Sequence, residues 1–320
     1  MTTGRVGTDF FQSLLDSHPE IFVYNGILFF YEFWNKTSYC IQSNQNIEIE
    51  DLVNEFIGHF IWTLKSKYDY QERKDQLGEN MDQSINIDID QFREHCIGLL
   101  KLKQLSSRYF LQTVYLAYAL CLGQSIKKKK VFFHHHHHIW ILGPYLKDFP
   151  DSKIISMTRD PRAAYVSGVE HWRKYDPANH DHLRRVFFIL NRTIEDAHPL
   201  KEYTTNFKVL KLEDLENEQI LNSICEWLGV SFDPCLRQST WAGMRWWGDR
   251  ISGKQPDKNE LRLSKKNTLN KWELTLNKID KLIINYLLYE RLKLLSYKYR
   301  EITILDHIIV PILILFPTTY

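Results

Sequence analysis

Apolar residues along the 320-residue chain recur at two spacings, and each spacing predicts a different element. Helical spacing links Phe10, Phe11, Leu14 and Leu15, and His18-Pro19 closes that helix. From about residue 47 to 123 three more stripes follow: Leu52, Phe56, Ile57, Phe60 and Ile61; then Phe92, Cys96, Leu99 and Leu100; then Tyr109, Val114, Tyr115, Tyr118 and Leu122. The polar stretch 68–90 between them, punctuated by Gly78, Asn80 and Asn86, reads as an exposed connection. Further helices are expected over 143–149, 179–196 and 218–229, the last with Leu221, Ile224, Cys225 and Leu228 inward and Gly229 as its C-cap. A helical stretch over 264–299 places Trp272, Ile279, Leu282, Ile283, Tyr286, Leu287 and Leu294 on its inner face. Short apolar runs predict strands at 154–157 and 207–212. A third strand is expected at 131–133, with His134 to His138 as its end. On that strand His134, His136 and His138 share one face and His135 and His137 the other.

One junction organises the chain. The strand at 154–157 runs into Thr158-Arg159-Asp160-Pro161. Asp before Pro is a helix start, because Asp can accept from the first free N–H groups and Pro fits the first helical position. A strand therefore ends on an arginine as a helix begins, at the edge of an α/β sheet where ligands sit. Ser167 follows eight residues after Arg159, and Ala163, Ala164 and Gly168 keep the neighbourhood small. Arg plus Ser at a helix N-terminus suits a phosphate; an ordinary strand–helix connection with a surface Arg would read the same way. A second anion-binding stretch stands at the N-terminus. In TTGRVGTDFF, Gly4 and Gly7 permit a tight turn that aims N–H groups at an anion, Arg5 adds charge, and Thr8 adds a hydroxyl.

Composition narrows the picture. A hydrophobic share of 44% with 25% charged residues is that of a soluble globular protein, and a net charge of +2 gives no case for nucleic-acid binding. The aromatic share of 14% suits a sugar or aromatic acceptor, or simply a large core. Five cysteines without disulfide or metal-ligand spacing point to reduced thiols and a cytoplasmic protein. No signal segment precedes the N-terminal loop. The tail, ITILDHIIVPILILFP, is too short and interrupted to span a bilayer, which needs about 20 apolar residues. It reads as a final packed helix or as an interfacial anchor giving peripheral membrane contact.

These motifs resemble those of the sulfotransferases that use 3′-phosphoadenosine 5′-phosphosulfate (PAPS). R-D-P-R-A-A-Y-V-S-G is similar to the family's 3′-phosphate motif. TTGRVGTDFFQSLLDSHP is similar to its 5′-phosphosulfate loop, with Asp9 where the family usually has Ser or Thr. The segments at 207–215 and EWLGV at 226–230 resemble later family elements. The resemblance implies an α/β three-layer sandwich with a mostly parallel sheet, like a P-loop nucleotide kinase. Residues 1–300 would form one domain with a helical acceptor-side insertion at 41–125, and 301–320 an apolar tail. Only three residues precede Gly4, so the first core strand is expected to be missing. Gly4, Arg5, Val6, Gly7, Thr8 and Asp9 would meet the 5′-phosphosulfate, and Arg159 and Ser167 the 3′-phosphate. Arg245 and Arg250, in a late Trp/Arg loop, would close over the nucleotide.

The same resemblance implies transfer of a sulfuryl group to a hydroxyl or amine, releasing 3′-phosphoadenosine 5′-phosphate (PAP), with no metal. In one branch of the family a histidine on the strand before the 3′-phosphate arginine is the base. That implies a base among His134, His136, His137 and His138, with His135 standing where that branch has Lys. In a second branch the base is a Glu near the first helix, for which Glu20 comes early. Metal binding or plain packing are the other readings of the five histidines. The acceptor is a hydroxylated small molecule, carbohydrate, lipid or peptide. A P-loop kinase or NTPase is the main alternative; it requires a phosphate-binding Lys that TTGRVGTD lacks. An inactive, nucleotide- or partner-binding relative is the third reading.

Overall fold

The computed structural model describes residues 6–42, 48–64, 77–175, 200–248 and 271–315. Gly4, Arg5, the helix expected at 179–196, Arg250 and residues 68–76 of the polar connection lie outside them. The chain divides into two compact units.

One unit comprises 8–154 and 217–263. Helix α1 (Thr8–Leu15) leads into strand β1 (Ile21–Val23), then α2 (Phe30–Gln42), α3 (Ile49–Leu64), α4 (Ile89–Leu100) and α5 (Ser107–Cys121). Strand β2 (Val131–Phe133) pairs in parallel with β1, Ile21 opposite Val131 and Val23 opposite Phe133. The sequence pattern did not single out β1. Its partner lies some hundred residues on, beyond the reach of local periodicity. The helical stripes are seen as expected, with Leu52, Phe56 and Phe60 buried on α3, Phe92 and Cys96 on α4, and Val114 and Tyr118 on α5. Aromatic rings fill this core: Tyr24 packs on Tyr118 at 4.5 Å and Phe56 on Phe60 at 4.7 Å. Asp88 and Ser106 cap α4 and α5 with their side chains.

One expectation is corrected here. The strand ends at Phe133, and His134 to His138 lie outside any strand, with the His135 carbonyl accepting the Leu28 N–H at 3.2 Å, before a 3₁₀ turn, Ile139–Ile141. The two-residue alternation survives outside the strand: ring centroids lie 6.1 Å apart for His134 and His136, and 5.0 Å for His135 and His137. Helix α6 (Leu142–Asp148) follows.

The second unit comprises 2–7, 155–216 and 264–320. It contains β3 (Ile154–Thr158), α7 (Pro161–Tyr175), α8 (Leu200–Tyr203) and β4 (Phe207–Lys211), with β3 paired to β4 and a 3₁₀ turn, Leu212–Glu216, after it. Helix α9 (Glu218–Leu228) belongs to the first unit. It ends as expected on Gly229, whose φ of +82° is the left-handed C-cap. The hairpin β5 (Thr240–Trp241) and β6 (Met244–Arg245) follows. The C-terminal helices are α10 (Lys271–Thr275), α11 (Lys278–Leu287), α12 (Tyr289–Leu294) and α13 (Ile304–Leu315).

The inner face expected over 264–299 needs correcting. Ile279 and Leu294 are exposed, whereas Ile283 is buried as expected, and Ile284, Leu288 and Leu292 are buried against Tyr165 and Val166 of α7. Asn277 caps α11 with its side chain, and the helix breaks at Leu288. Each restart resets the phase that a single 3.6-residue period assumes.

The described residues are thus a mixed helix–strand fold with small two-stranded sheets, one of them, β1–β2, parallel. No helix among them is long and apolar enough to cross a membrane. Helix α13 nonetheless exposes Ile304, Leu305, Ile308, Ile309, Ile312 and Leu315.

Candidate active site

The Arg-Asp-Pro junction forms as local chemistry dictates. Pro161 is the first residue of α7, and Asp160 Oδ1 accepts the Arg162 N–H at 2.9 Å. Arg162 folds back on the same carboxylate, with Nε to Oδ1 at 2.9 Å and Nη2 to Oδ2 at 2.6 Å. Its guanidinium lies over the Trp272 ring, 4.0 Å from the centroid. The Asp160 N–H donates to Glu213 Oε1 at 2.9 Å, and the Tyr297 hydroxyl donates to Glu213 Oε2 at 3.0 Å. Burial, and then the Glu213 carboxylate, push the Tyr297 phenol far above its ordinary range, so it stays a donor.

Arg159 sits between this locked turn and the end of β3, largely buried. Ala163 and Ala164 beside it are buried and small, and Ser167 lies two turns into α7, partly buried. Sequence reasoning missed Arg291, whose Nη2 donates to Thr158 Oγ1 at 3.4 Å. Burial lowers its pKa to about 10, which leaves it charged at neutral pH. The signal for it was weak: one Arg in a Lys- and Leu-rich helix. In the same unit Gly7 adopts φ +86°, and a Cβ there would lie 2.4 Å from Leu212 Cδ1. Only glycine fits this turn without strain. Val6, next to it, is buried.

In the other unit Thr8 and Asp9 open α1. Asp9 Oδ1 lies 3.7 Å from His135 Nδ1, so the carboxylate at the departure from the family pattern faces the histidine run. His135 Nδ1 is 2.8 Å from Gln12 Oε1, and Gln12 Nε2 donates to the Tyr24 carbonyl at 2.9 Å. His134 Nδ1 is 2.9 Å from the Tyr115 hydroxyl, which itself donates to the Phe133 carbonyl. His134 also stacks on Tyr145 at 5.5 Å. His136 Nδ1 accepts the His138 N–H at 3.0 Å. His138 stacks on Trp140 at 4.1 Å, and its Nε2 is 3.7 Å from Glu32. His137 packs edge-on to Phe29.

Burial keeps three of these imidazoles neutral. It lowers His134 to about 3, His136 to about 2, and His135 well below its ordinary value. No group of three or more His, Cys, Asp or Glu among the described residues is arranged to hold a metal ion.

Other singled-out residues have structural partners. His18 accepts the Glu20 N–H on Nδ1 and meets the Ser231 carbonyl through Nε2 at 2.9 Å. Glu20 pairs with Lys130 and accepts the Ser231 N–H at 2.7 Å. Arg245 pairs with Glu79 at 3.2 Å and lies over Trp247. Cys96, Cys121, Cys225 and Cys235 are free thiols.

Comparison with known proteins gives one family: the profile of the "Sulfotransferase family" matches residues 2–234. No curated protein matches the chain. Among solved structures, the sulfotransferase domain from the curacin biosynthetic pathway is similar, at 16% identity and a TM-score of 0.48. That likeness covers 93% of this chain and 96% of the other. The sulfotransferase domain from the Synechococcus PCC 7002 olefin synthase is similar at 13% identity and a TM-score of 0.39, over 99% and 94% of the two chains.

Proposed function

This chain belongs to the sulfotransferase family, and on that premise we propose that it moves a sulfuryl group from PAPS to a hydroxyl or amine of an acceptor. The observation that carries the donor assignment is the strand–Arg159–Asp160–Pro161–helix turn, locked by Glu213 and Arg162. A cation at a helix N-terminus fits a terminal phosphate, and a glycine turn that admits no Cβ fits close backbone approach to an anion. On this reading Arg159 and Ser167 hold the 3′-phosphate that distinguishes PAPS from ATP. Gly4, Arg5, Val6, Gly7, Thr8 and Asp9 line the 5′-phosphosulfate, Arg5 and the amides of Gly7 and Thr8 stabilising the leaving phosphate. The three-layer, kinase-like sheet belongs to the same proposal.

Sulfuryl transfer spreads charge over equatorial oxygens between an entering and a leaving oxygen in line, so positioning and charge stabilisation do most of the catalysis. A neutral histidine of the 134–138 run takes the acceptor proton; no magnesium is required. The acceptor is a hydroxylated small molecule, carbohydrate, lipid or peptide. The exposed apolar face of α13 supports peripheral contact with a membrane surface.

The test is turnover of radiolabelled PAPS against a panel of acceptors, with and without chelator. Labelled product that persists in chelator supports the proposal. Magnesium-dependent use of ATP instead would replace it with a kinase, and nucleotide binding without turnover would replace it with an inactive relative.

A further inference from the structure

Hydrogen bonding fixes the tautomers of three histidines, His135 and His136 buried and His134 partly buried. Gln12 Nε2 donates to the Tyr24 carbonyl, which can only accept, so Gln12 presents Oε1 to His135. His135 must then carry its proton on Nδ1, leaving a lone pair on Nε2. The Tyr115 hydroxyl spends its hydrogen on the Phe133 carbonyl, so His134 too is protonated on Nδ1. His136 is the reverse: its Nδ1 accepts a backbone N–H, and its proton sits on Nε2.

Two imidazoles therefore offer Nε2 lone pairs, and both atoms are buried with no hydrogen-bond partner among the described residues. A buried acceptor left unsatisfied is costly unless a ligand completes it. The two differ in direction. His134 rests on Tyr115 of α5 and Tyr145 of α6. His135 rests on the first turns of α1, against Asp9 and Gln12, directly after Thr8 of the donor loop.

We infer that Gln12 is a positioning residue that fixes His135 with its proton on Nδ1, so that His135 Nε2 accepts the proton of the acceptor hydroxyl. The inference rests on the sulfotransferase reading above and narrows it to one base. As the acceptor oxygen bonds to sulfur, its proton passes to Nε2. The bond from sulfur to the bridging oxygen breaks, and its electron pair leaves on the 5′-phosphate of PAP. The imidazolium then returns the proton to solvent. The titratable groups around the ring are Asp9 from α1 and, on the same run, His137, His134 and His136.

The test combines nitrogen-15 spectra of the histidine rings with kinetics, His135 being assigned by its loss in His135→Gln. The wild type should show His135 protonated on Nδ1 at pH 7. Gln12→Met, which removes the acceptor, should lose that tautomer and lower kcat roughly tenfold or more while KM for PAPS holds. Gln12→Glu should keep the tautomer, recover turnover, and move the acidic limb of the pH profile upward, because a carboxylate raises the basicity of the ring. A wild type protonated on Nε2 that still turns over PAPS overturns this inference and leaves the sulfotransferase reading standing. So does Gln12→Met with unaltered kcat. A protein that neither binds nor uses PAPS overturns both. If Gln12→Met does not fold, the wild-type spectrum and Gln12→Glu decide.

Discussion

The backbone N–H of Asp160 donates to the Glu213 carboxylate at 2.9 Å, so the residue next to Arg159 is held by a side chain from the turn after β4. The same carboxylate takes the Tyr297 hydroxyl, which ties the C-terminal helices to the turn. Glu213→Ala strips both donors of their acceptor and should cost about 1–3 kcal/mol of stability. It should also weaken PAP binding, since Arg159 loses its fixed platform. Glu213→Gln keeps one acceptor oxygen and should lose less in both. Denaturant titration and calorimetry of the two variants check this. Unchanged PAP affinity in a folded Glu213→Ala protein would contradict a positioning role.

Gly7 makes a separate prediction about the N-terminal loop. Its φ of +86° and its approach to Leu212 are two distinct obstacles to a side chain. The Leu212 methyl can move; the dihedral cannot change without rebuilding the loop. Gly7→Ala should therefore destabilise by about 1–2 kcal/mol, mostly from backbone strain. Adding Leu212→Ala to it should not restore the loss. Thermal melts of the single and double variants decide, and full rescue by Leu212→Ala would show that crowding rather than dihedral strain dominates.

The histidine run predicts acid sensitivity. His134 and His136 are lowered to about 3 and about 2, and His135 is lowered well below its ordinary value, all chiefly by burial. Below pH 6.5 the unfolded chain takes up protons that the folded chain refuses. Stability is therefore full above pH 6.5 and falls as pH drops below it. Each such histidine contributes a slope of up to about 1.4 kcal/mol per pH unit, so three would contribute about 4. Denaturant midpoints measured from pH 8 to pH 5 should fall below 6.5, and His134→Gln should remove about one proton from the slope. A flat profile over that range would contradict the burial of neutral imidazoles.

What the sequence made legible was local chemistry. Asp160 and Pro161 start α7, and Gly229 ends α9, because capping depends on residues within a few positions of one another. The helical stripes of α3 to α5 were readable for the same reason. The misses are non-local. Strand β1 exists only through its pairing with β2. The end of β2 at Phe133 is set by where that pairing stops, not by any change in His134 to His138. The exposure of Ile279 and Leu294 follows from breaks at Asn277 and Leu288 that reset the helical phase. In the candidate site, Arg159 and Ser167 stood out through motif spacing. Arg291 did not, because a contact between Thr158 and a residue 133 positions on leaves no periodic trace. Nor did His135 stand out, since its orientation depends on Gln12, which reads as an ordinary polar residue of α1.

The central claim is that the turn at Arg159 recognises a 3′-phosphate, and calorimetric titration with PAP, with ADP as control and Arg159→Ala as variant, tests it most directly. Micromolar binding of PAP, weaker binding of ADP, and loss of that preference in folded Arg159→Ala are the predicted results. Equal binding of PAP and ADP, or an Arg159→Ala protein that binds PAP as the wild type does, would contradict the assignment.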